Sequence, residues 1–286
     1  NLFERIVDTD NLMTAYQRAS RGKHNMRNVQ KFERDVPGNI ERIRQALLNK
    51  TFKTSSYQTK MVYEPKRREI FVLPFAPDRI VQHALVAILS PIWDRLMISD
   101  SYACRVGKGQ HAGSRRVMEF VRKYRYCLQC DIAKFYPSMD QDVLSSLVRR
   151  KIKCPDTLWL LDDIIYSYPG GKNAPIGNYT SQWFGNLYLN EVDQLVKHTL
   201  GCNGYLRYCD DFCLFGDNKS LLHQAKEIIG RFIADQLKLR FSYAEVYPVS
   251  HGVDFLGYRH FKSKILLRKS TATRVKRRLA KLPKLL

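Results

Sequence analysis

The stretch Gly204-Tyr205-Leu206-Arg207-Tyr208-Cys209-Asp210-Asp211-Phe212-Cys213-Leu214-Phe215 decides how the rest of the chain reads. Gly204–Tyr208 and Phe212–Phe215 are aromatic and aliphatic runs suited to strands. Cys209-Asp210-Asp211 makes a tight turn between them, so the segment reads as a β-hairpin. Asp is a common turn former, and that alone would explain either carboxylate. Two adjacent carboxylates at a hairpin tip also suit metal chemistry, and the flanking sequence must decide between the two readings.

Upstream, the alternating run Tyr126-Cys127-Leu128-Gln129-Cys130-Asp131-Ile132 reads as a strand with Asp131 at its end. A helix from about Asp140 follows, through Leu144, Leu147 and Val148. A loop rich in Gly, Pro and Asn (168–178) then leads to a helix from about Thr180 to Leu200. Downstream of the hairpin, Leu221, Leu222, Ala225, Ile228, Ile229, Phe232 and Ile233 share one helical face, and 239–260 reads as further strands. This β-α-(β-hairpin)-α-β order predicts an α+β fold with a ferredoxin-like split sheet. If the two catalytic-looking strands are neighbours, Asp131, Asp210 and Asp211 converge at one edge. Carboxylates brought together repel and need a counter-ion. Magnesium supplies one through oxygen ligands, and two such ions serve an in-line phosphoryl displacement.

Toward the N-terminus, residues 1–50 read as helical segments rich in Arg and Lys, broken by Pro37-Gly38-Asn39 before an amphipathic helix at Ile40–Leu48. Residues 57–75 read as a hairpin turning at Glu64-Pro65-Lys66-Arg67, and Pro77-Asp78 starts a helix through Ile80, Val81, Ala84, Leu85, Ile88 and Leu89. Lys66, Arg67 and Arg68 cluster at the hairpin tip, where a solvated turn is the plainest reading.

Charge narrows the partner. The 48 Lys and Arg against 27 Asp and Glu leave +21 over 286 residues, which fits a polyanion, either nucleic acid or an anionic membrane surface. No apolar run approaches the length of a membrane span, and the polar opening Asn1–Arg5 has no signal-peptide pattern, so nucleic acid is the expected partner. Ten of the cations and no acid fall in 262–286. That tail reads either as solvated or as a helix tracking a phosphate backbone, docked by Leu266, Leu267, Val275, Leu279 and Leu282. The seven cysteines are scattered. Cys127 and Cys130, three apart on a strand, would point to opposite faces, so reduced structural thiols in a cytoplasm are expected.

Tyr208-Cys209-Asp210-Asp211 resembles the Tyr-x-Asp-Asp box of reverse transcriptases. Asp131-Ile132-Ala133-Lys134-Phe135-Tyr136 looks like their first catalytic motif. The resemblance implies two Mg2+ ions held by Asp131, Asp210 and Asp211, with Tyr136 as a steric gate against the ribose 2′-OH; otherwise Tyr136 is a core aromatic. It further implies that Lys66 and Arg68 meet the incoming triphosphate. Asp78–Leu85 and Ser101–Ala112 match further motifs of the fingers. There Arg79, Arg105 and Lys108 would contact nucleic acid, and Gly107 and Gly109 would allow close backbone approach. On the tail, Arg274, Lys276 and Arg277 would do the same. Phe255-Leu256-Gly257-Tyr258 resembles the primer-grip turn.

One departure points to a subfamily. Ile176-Gly177-Asn178-Tyr179-Thr180-Ser181-Gln182 stands where most of the family carries Gln-Gly…Ser-Pro. Ile176 and Gln182 make it similar to the reverse transcriptases of diversity-generating retroelements, which copy a template RNA with errors at adenines. Leu266-Leu267-Arg268-Lys269-Ser270 also looks like that group. The implied organisation is a right-hand polymerase with fingers over 1–125, a palm over 126–262 from which 150–178 returns to the fingers, and the start of a helical thumb over 263–286. Related chains continue further, so more thumb is expected. The implied partners are template RNA, an RNA/DNA hybrid, dNTPs and a small basic accessory protein, in the cytoplasm of a bacterial or phage-infected cell. A group II intron-like or phage-defence reverse transcriptase, or an inactive RNA-binding relative, would share most of these features.

Overall fold

The computed structural model describes residues 1–63 and 67–280. Its helices and strands begin with α1 (Leu2–Val7), α2 (Thr9–Ser20), α3 (Arg27–Glu33), α4 (Val36–Leu48), β1 (Gln58–Val62), β2 (Arg68–Val72) and α5 (Ile80–Asp94). They continue with α6 (Gln110–Lys123), β3 (Tyr126–Ile132), α7 (Phe135–Ser138), α8 (Gln141–Lys151), α9 (Pro155–Ile165) and α10 (Tyr179–Gln194). The remainder is β4 (Gly204–Tyr208), β5 (Asp211–Gly216), α11 (Lys219–Leu237), β6 (Phe241–Pro248), β7 (Val253–Phe255), β8 (Tyr258–His260), β9 (Ile265–Leu267) and α12 (Lys269–Leu279). The chain divides into two compact units.

The first unit comprises Asn1–Met97, Lys134–Asn190 and Gln236–Leu239. Its helical core is built on the apolar faces of α2, α4 and α5, with Leu12, Ile40, Leu47, Leu85 and Trp93 fully buried. Aromatic contacts add to it, among them Tyr16 stacked on Phe32 at 5.4 Å and Phe32 edge-on to Phe75 at 5.6 Å. One boundary differs from the sequence expectation. Pro37-Gly38 does not break the helices but sits in the first turn of α4, where a missing N–H costs nothing. Asp35 caps this helix through the Gly38 N–H, and Gly38 leaves room for the cap, since a Cβ there would lie 2.2 Å from the Asp35 carboxylate.

The second unit comprises Ile98–Ala133, Glu191–Asp235 and the chain from Arg240. It contains the antiparallel sheet β4-β5-β3-β6. Counted from β3, that is the 2-3-1-4 order of a ferredoxin-like sheet, as the sequence predicts, and β3 lies between β5 and β6. Its core includes Val117, Phe120, Cys127, Leu206, Phe215 and Phe255. A second sheet, β7-β8-β9, follows. Its first turn has both central residues left-handed (Leu256 φ 57°, Gly257 φ 82°), the geometry that matches strand twist in a two-residue hairpin. That hairpin is tied to α6 and β3. Gln110 donates to the Leu256 carbonyl, Gln129 Nε2 donates to the Asp254 carbonyl at 2.8 Å, and Ser114 Oγ meets His260 Nε2 at 2.8 Å.

Candidate active site

In the second unit, β3 and β5 pair with Asp131 directly opposite Asp211. Residues opposite one another in an antiparallel ladder project from the same face, so the two carboxylates meet. They share a hydrogen bond, and the Asp211 carboxyl is pushed up to about 7. Burial is the largest cause, followed by the Asp131 charge, the shared hydrogen bond and the Asp210 charge, while Arg268 pulls the other way. The Ser242 hydroxyl, on β6, lies against both the Asp131 carboxylate and its carbonyl oxygen. β4 and β5 are joined by the two-residue turn Cys209-Asp210, with Cys209 left-handed at φ 55°.

What fixes this turn was not legible as a motif. The Arg207 side chain has no exposed area, nor has that of Asp193, and the two are joined bidentately, Nη2 to Oδ2 at 2.6 Å and Nε to Oδ1 at 2.8 Å. Tyr205 donates its hydroxyl to the same carboxylate at 2.7 Å. With Asp193 neutralising it, Arg207 reaches forward and donates from Nη1 to the Cys209 carbonyl at 3.1 Å. The sequence signal was a lone Arg in an otherwise apolar strand, which demands a buried partner. Which acid would supply it could not be read. Near the same turn, Arg268 is bonded to Asp254, and its backbone N–H donates to the Gly257 carbonyl at 3.0 Å.

Among the described residues, no three His, Cys, Asp or Glu side chains are gathered closely enough to hold a metal ion. The donor set nevertheless fits a hard divalent cation. Two carboxylates in contact, one of them mostly protonated below pH 7, are a site where a cation replaces a shared proton.

The other anticipated residues are distributed as follows. In the first unit, Arg68 is exposed on β2, and the same strand is clamped by the loop carrying Ile176. The Phe71 N–H donates to the Ile176 carbonyl at 2.7 Å, and Gly177 (φ 122°) passes so close that a Cβ would lie 2.3 Å from the Phe71 carbonyl. Ile176 is half-buried and Gln182 is exposed on α10. Tyr136 is half-buried beside Phe135, its hydroxyl 3.3 Å from where a Cβ on Gly185 would be. Arg79 belongs to a cationic group with Lys23 and Arg18 around His83, whose imidazole is pushed down to about 4, first by burial and then by those charges. In the second unit, Arg105 and Lys108 hold their own loop, donating to the Ile98 and Ser101 carbonyls and to the Ser99 carbonyl. Arg274, Lys276 and Arg277 stand on α12, a helix with no buried residue. Lys66 lies outside the described residues.

Comparison with known proteins bears on the family and the fold. The profile of the family "Reverse transcriptase (RNA-dependent DNA polymerase)" matches residues 64–260. Protein YkfC of Escherichia coli (strain K12) is 24% identical over 70% of this chain and 66% of its own length. Nuclear intron maturase 4, mitochondrial, of Arabidopsis thaliana is 22% identical over 58% of the chain. The chain spans 22% of that maturase. Among solved structures, telomerase from Candida albicans, in a complex with a TWJ fragment of telomeric RNA, aligns with a TM-score of 0.58 at 10% identity, over 77% of this chain and 48% of that one. Apo telomerase from Candida tropicalis aligns at 0.55 and 13% identity, over 75% and 55%. These structural likenesses bear on the fold alone, which is that of the α+β right-hand polymerases. No described helix is long and apolar enough to cross a membrane. The profile match runs from residue 64 through the Asp131 strand and the Tyr208–Asp211 turn to β8, well over half of the sequence, and the chain belongs to the reverse transcriptase family.

Proposed function

We propose that the chain is an RNA-directed DNA polymerase that copies a template RNA from dNTPs, with Asp131, Asp210 and Asp211 holding two Mg2+ ions. The observation that carries this reading is the Asp131–Asp211 carboxylate pair beside the Cys209-Asp210 turn. Bound there, the metal would lower the charge barrier to attack of a 3′ hydroxyl on a triphosphate. The protein's own part is to hold the carboxylates in register through β3 and β5, to fix the turn through Arg207, and to present Arg68 and the cations around Arg79 to phosphates. Template RNA and an RNA/DNA hybrid would be bound by that positive surface, and a small basic accessory protein would be the remaining partner.

Within this activity, Ile176 and Gln182 favour the error-prone branch, the diversity-generating retroelement enzymes. The Ile176 backbone is fixed on β2, while its side chain offers no hydrogen bond where a Gln would. The match to an intron maturase favours a second reading, a group II intron-like reverse transcriptase of ordinary fidelity. One experiment separates the readings. Primer extension on an RNA template with Mg2+, followed by sequencing of the cDNA, should give synthesis with errors concentrated at template adenines. Ile176→Gln should lower those errors more than it lowers synthesis. Synthesis without adenine bias would leave the polymerase and remove the error-prone branch. Loss of all synthesis in Asp210→Asn is expected, and retention of activity within about tenfold of the parent, roughly 1.4 kcal/mol, would remove the metal assignment.

A further inference from the structure

The turn that carries Asp210 has a second chemical feature. The backbone of Ser101-Tyr102 runs parallel to β4 at Arg207. Ser101 and Arg207 form a bridge, the Tyr102 N–H donates to the Arg207 carbonyl at 2.9 Å, and the Arg207 N–H donates to the Asp100 carbonyl at 3.0 Å. Three residues beyond Ser101 on one segment is Cys104, and two residues beyond its bridge partner Arg207 on the other is Cys209. Both adopt left-handed backbone conformations (φ 57° and 55°), and their side chains interact directly. Cys104 is exposed and Cys209 is partly buried.

We propose that Cys104 and Cys209 form an oxidation site, in which a disulfide between them locks the Tyr208–Asp211 turn and switches polymerisation off. The proposal rests on the polymerase reading for its consequence, though not for its chemistry. The oxidant is a peroxide. The exposed Cys104 thiolate attacks one peroxide oxygen, the O–O bond breaks, and the thiol becomes a sulfenic acid while the other oxygen leaves as water or alcohol. Cys209 sulfur then attacks the Cys104 sulfur. The S–S bond forms, the S–O bond breaks, and the departing hydroxide takes the Cys209 proton as a second water. Two thiols and one hydrogen peroxide thus give one disulfide and two waters. The first step is favoured at Cys104 because the hydrogen bond from the Cys209 thiol holds the Cys104 thiol below its ordinary range.

The consequence is geometric. A disulfide brings the sulfurs to about 2.05 Å, well inside any non-bonded contact. Cys209 has no slack to absorb this, because its carbonyl is held by Arg207 and its neighbour Asp210 carries the proposed metal ligand. A displacement on the order of 1 Å at a reacting centre costs on the order of 10²-fold in rate. The molecule contains its own contrast. Cys127 and Cys213 are also in side-chain contact, on β3 and β5, yet neither has exposed area, so a peroxide reaches them only on unfolding.

The test uses the full chain, reduced and then treated with hydrogen peroxide. Half of each sample is alkylated, digested and searched by mass spectrometry for a Cys104–Cys209 linked peptide. The other half is assayed for Mg2+-dependent extension on an RNA template before and after dithiothreitol. The expected result is the linked peptide, loss of extension on the order of 10²-fold, and recovery on reduction. Cys104→Ser should extend as well as the parent and keep that activity in peroxide. Absence of the linked peptide would overturn the proposal, as would a linked enzyme of unchanged rate or equal peroxide inhibition of Cys104→Ser. An enzyme inactive before oxidation would count against the polymerase reading alone, since thiol mapping requires no polymerisation.

Discussion

Arg207 and Asp193, neither with any exposed side-chain area, form a bidentate ion pair, and the Arg207 Nη1 holds the carbonyl of Cys209. The pair anchors the end of α10 to β4 and the turn bearing Asp210. Removing one partner strands a buried charge, so Asp193→Ala should lower unfolding free energy by about 3–5 kcal/mol. The double variant Asp193→Leu/Arg207→Met should recover much of that loss, because no bare charge remains, while polymerisation stays depressed for want of the bond to Cys209. Urea titrations of both variants check the first part. A double variant as unstable as the single one would mean that the pair is held by packing and not by charge.

The Asp131–Asp211 pair predicts a pH dependence. The folded value of Asp211, about 7, stands above its ordinary 3.8, so the folded state keeps a proton that the unfolded state has lost. The resulting stabilisation is fully present below about pH 4 and disappears as pH rises through 7, an effect of the order of a few kcal/mol in metal-free protein. Asp211→Asn should flatten this dependence. Because a cation replaces the proton, Mg2+ should raise the melting temperature more at pH 8 than at pH 6. Thermal scans with and without Mg2+ at the two pH values read both effects.

Tyr136 should discriminate against ribonucleotides by the bulk of its ring, with its position set by the glycine at 185. Tyr136→Ala should raise ribonucleotide incorporation relative to deoxyribonucleotide while leaving Mg2+-dependent synthesis in place. Gly185→Ala, which crowds the Tyr136 ring, should disturb the same ratio. Single-nucleotide kcat/KM for rNTP and dNTP pairs is the measurement, and an unchanged ratio in Tyr136→Ala would make this ring a packing residue.

The helix α12 exposes Arg274, Lys276 and Arg277 and buries nothing of its own. If it tracks phosphates, replacing these residues and Arg278 with Gln should weaken RNA binding without changing template preference. The log–log salt slope should become shallower by about 0.7–0.9 for each phosphate that is no longer neutralised. Binding titrations over a range of salt concentrations decide this, and an unchanged slope would mean a solvated tail.

The sequence alone determined the elements and the chemistry at their ends. The alternation in Tyr126–Ile132, the helix start near Asp140 and the turn residues at 209–211 are local signals. They act over one or two turns of chain, where propensity and hydrogen bonding to near neighbours dominate. Even there, Pro37-Gly38 reads locally as a break yet sits in the first turn of α4, because a missing N–H has opposite meanings at a helix start and in its interior. Only the tertiary structure decided that β3 lies between β5 and β6, so that Asp131 faces Asp211 across 80 residues of sequence separation. It also turned Arg105 and Lys108 back onto their own loop, and it gave Arg207 its acid and Cys104 its thiol partner. The physical reason is the same in each case. A buried charge, carboxylate or thiol takes its properties from whatever the packed chain places within a few ångströms, and periodicity along a sequence carries no information about that neighbour.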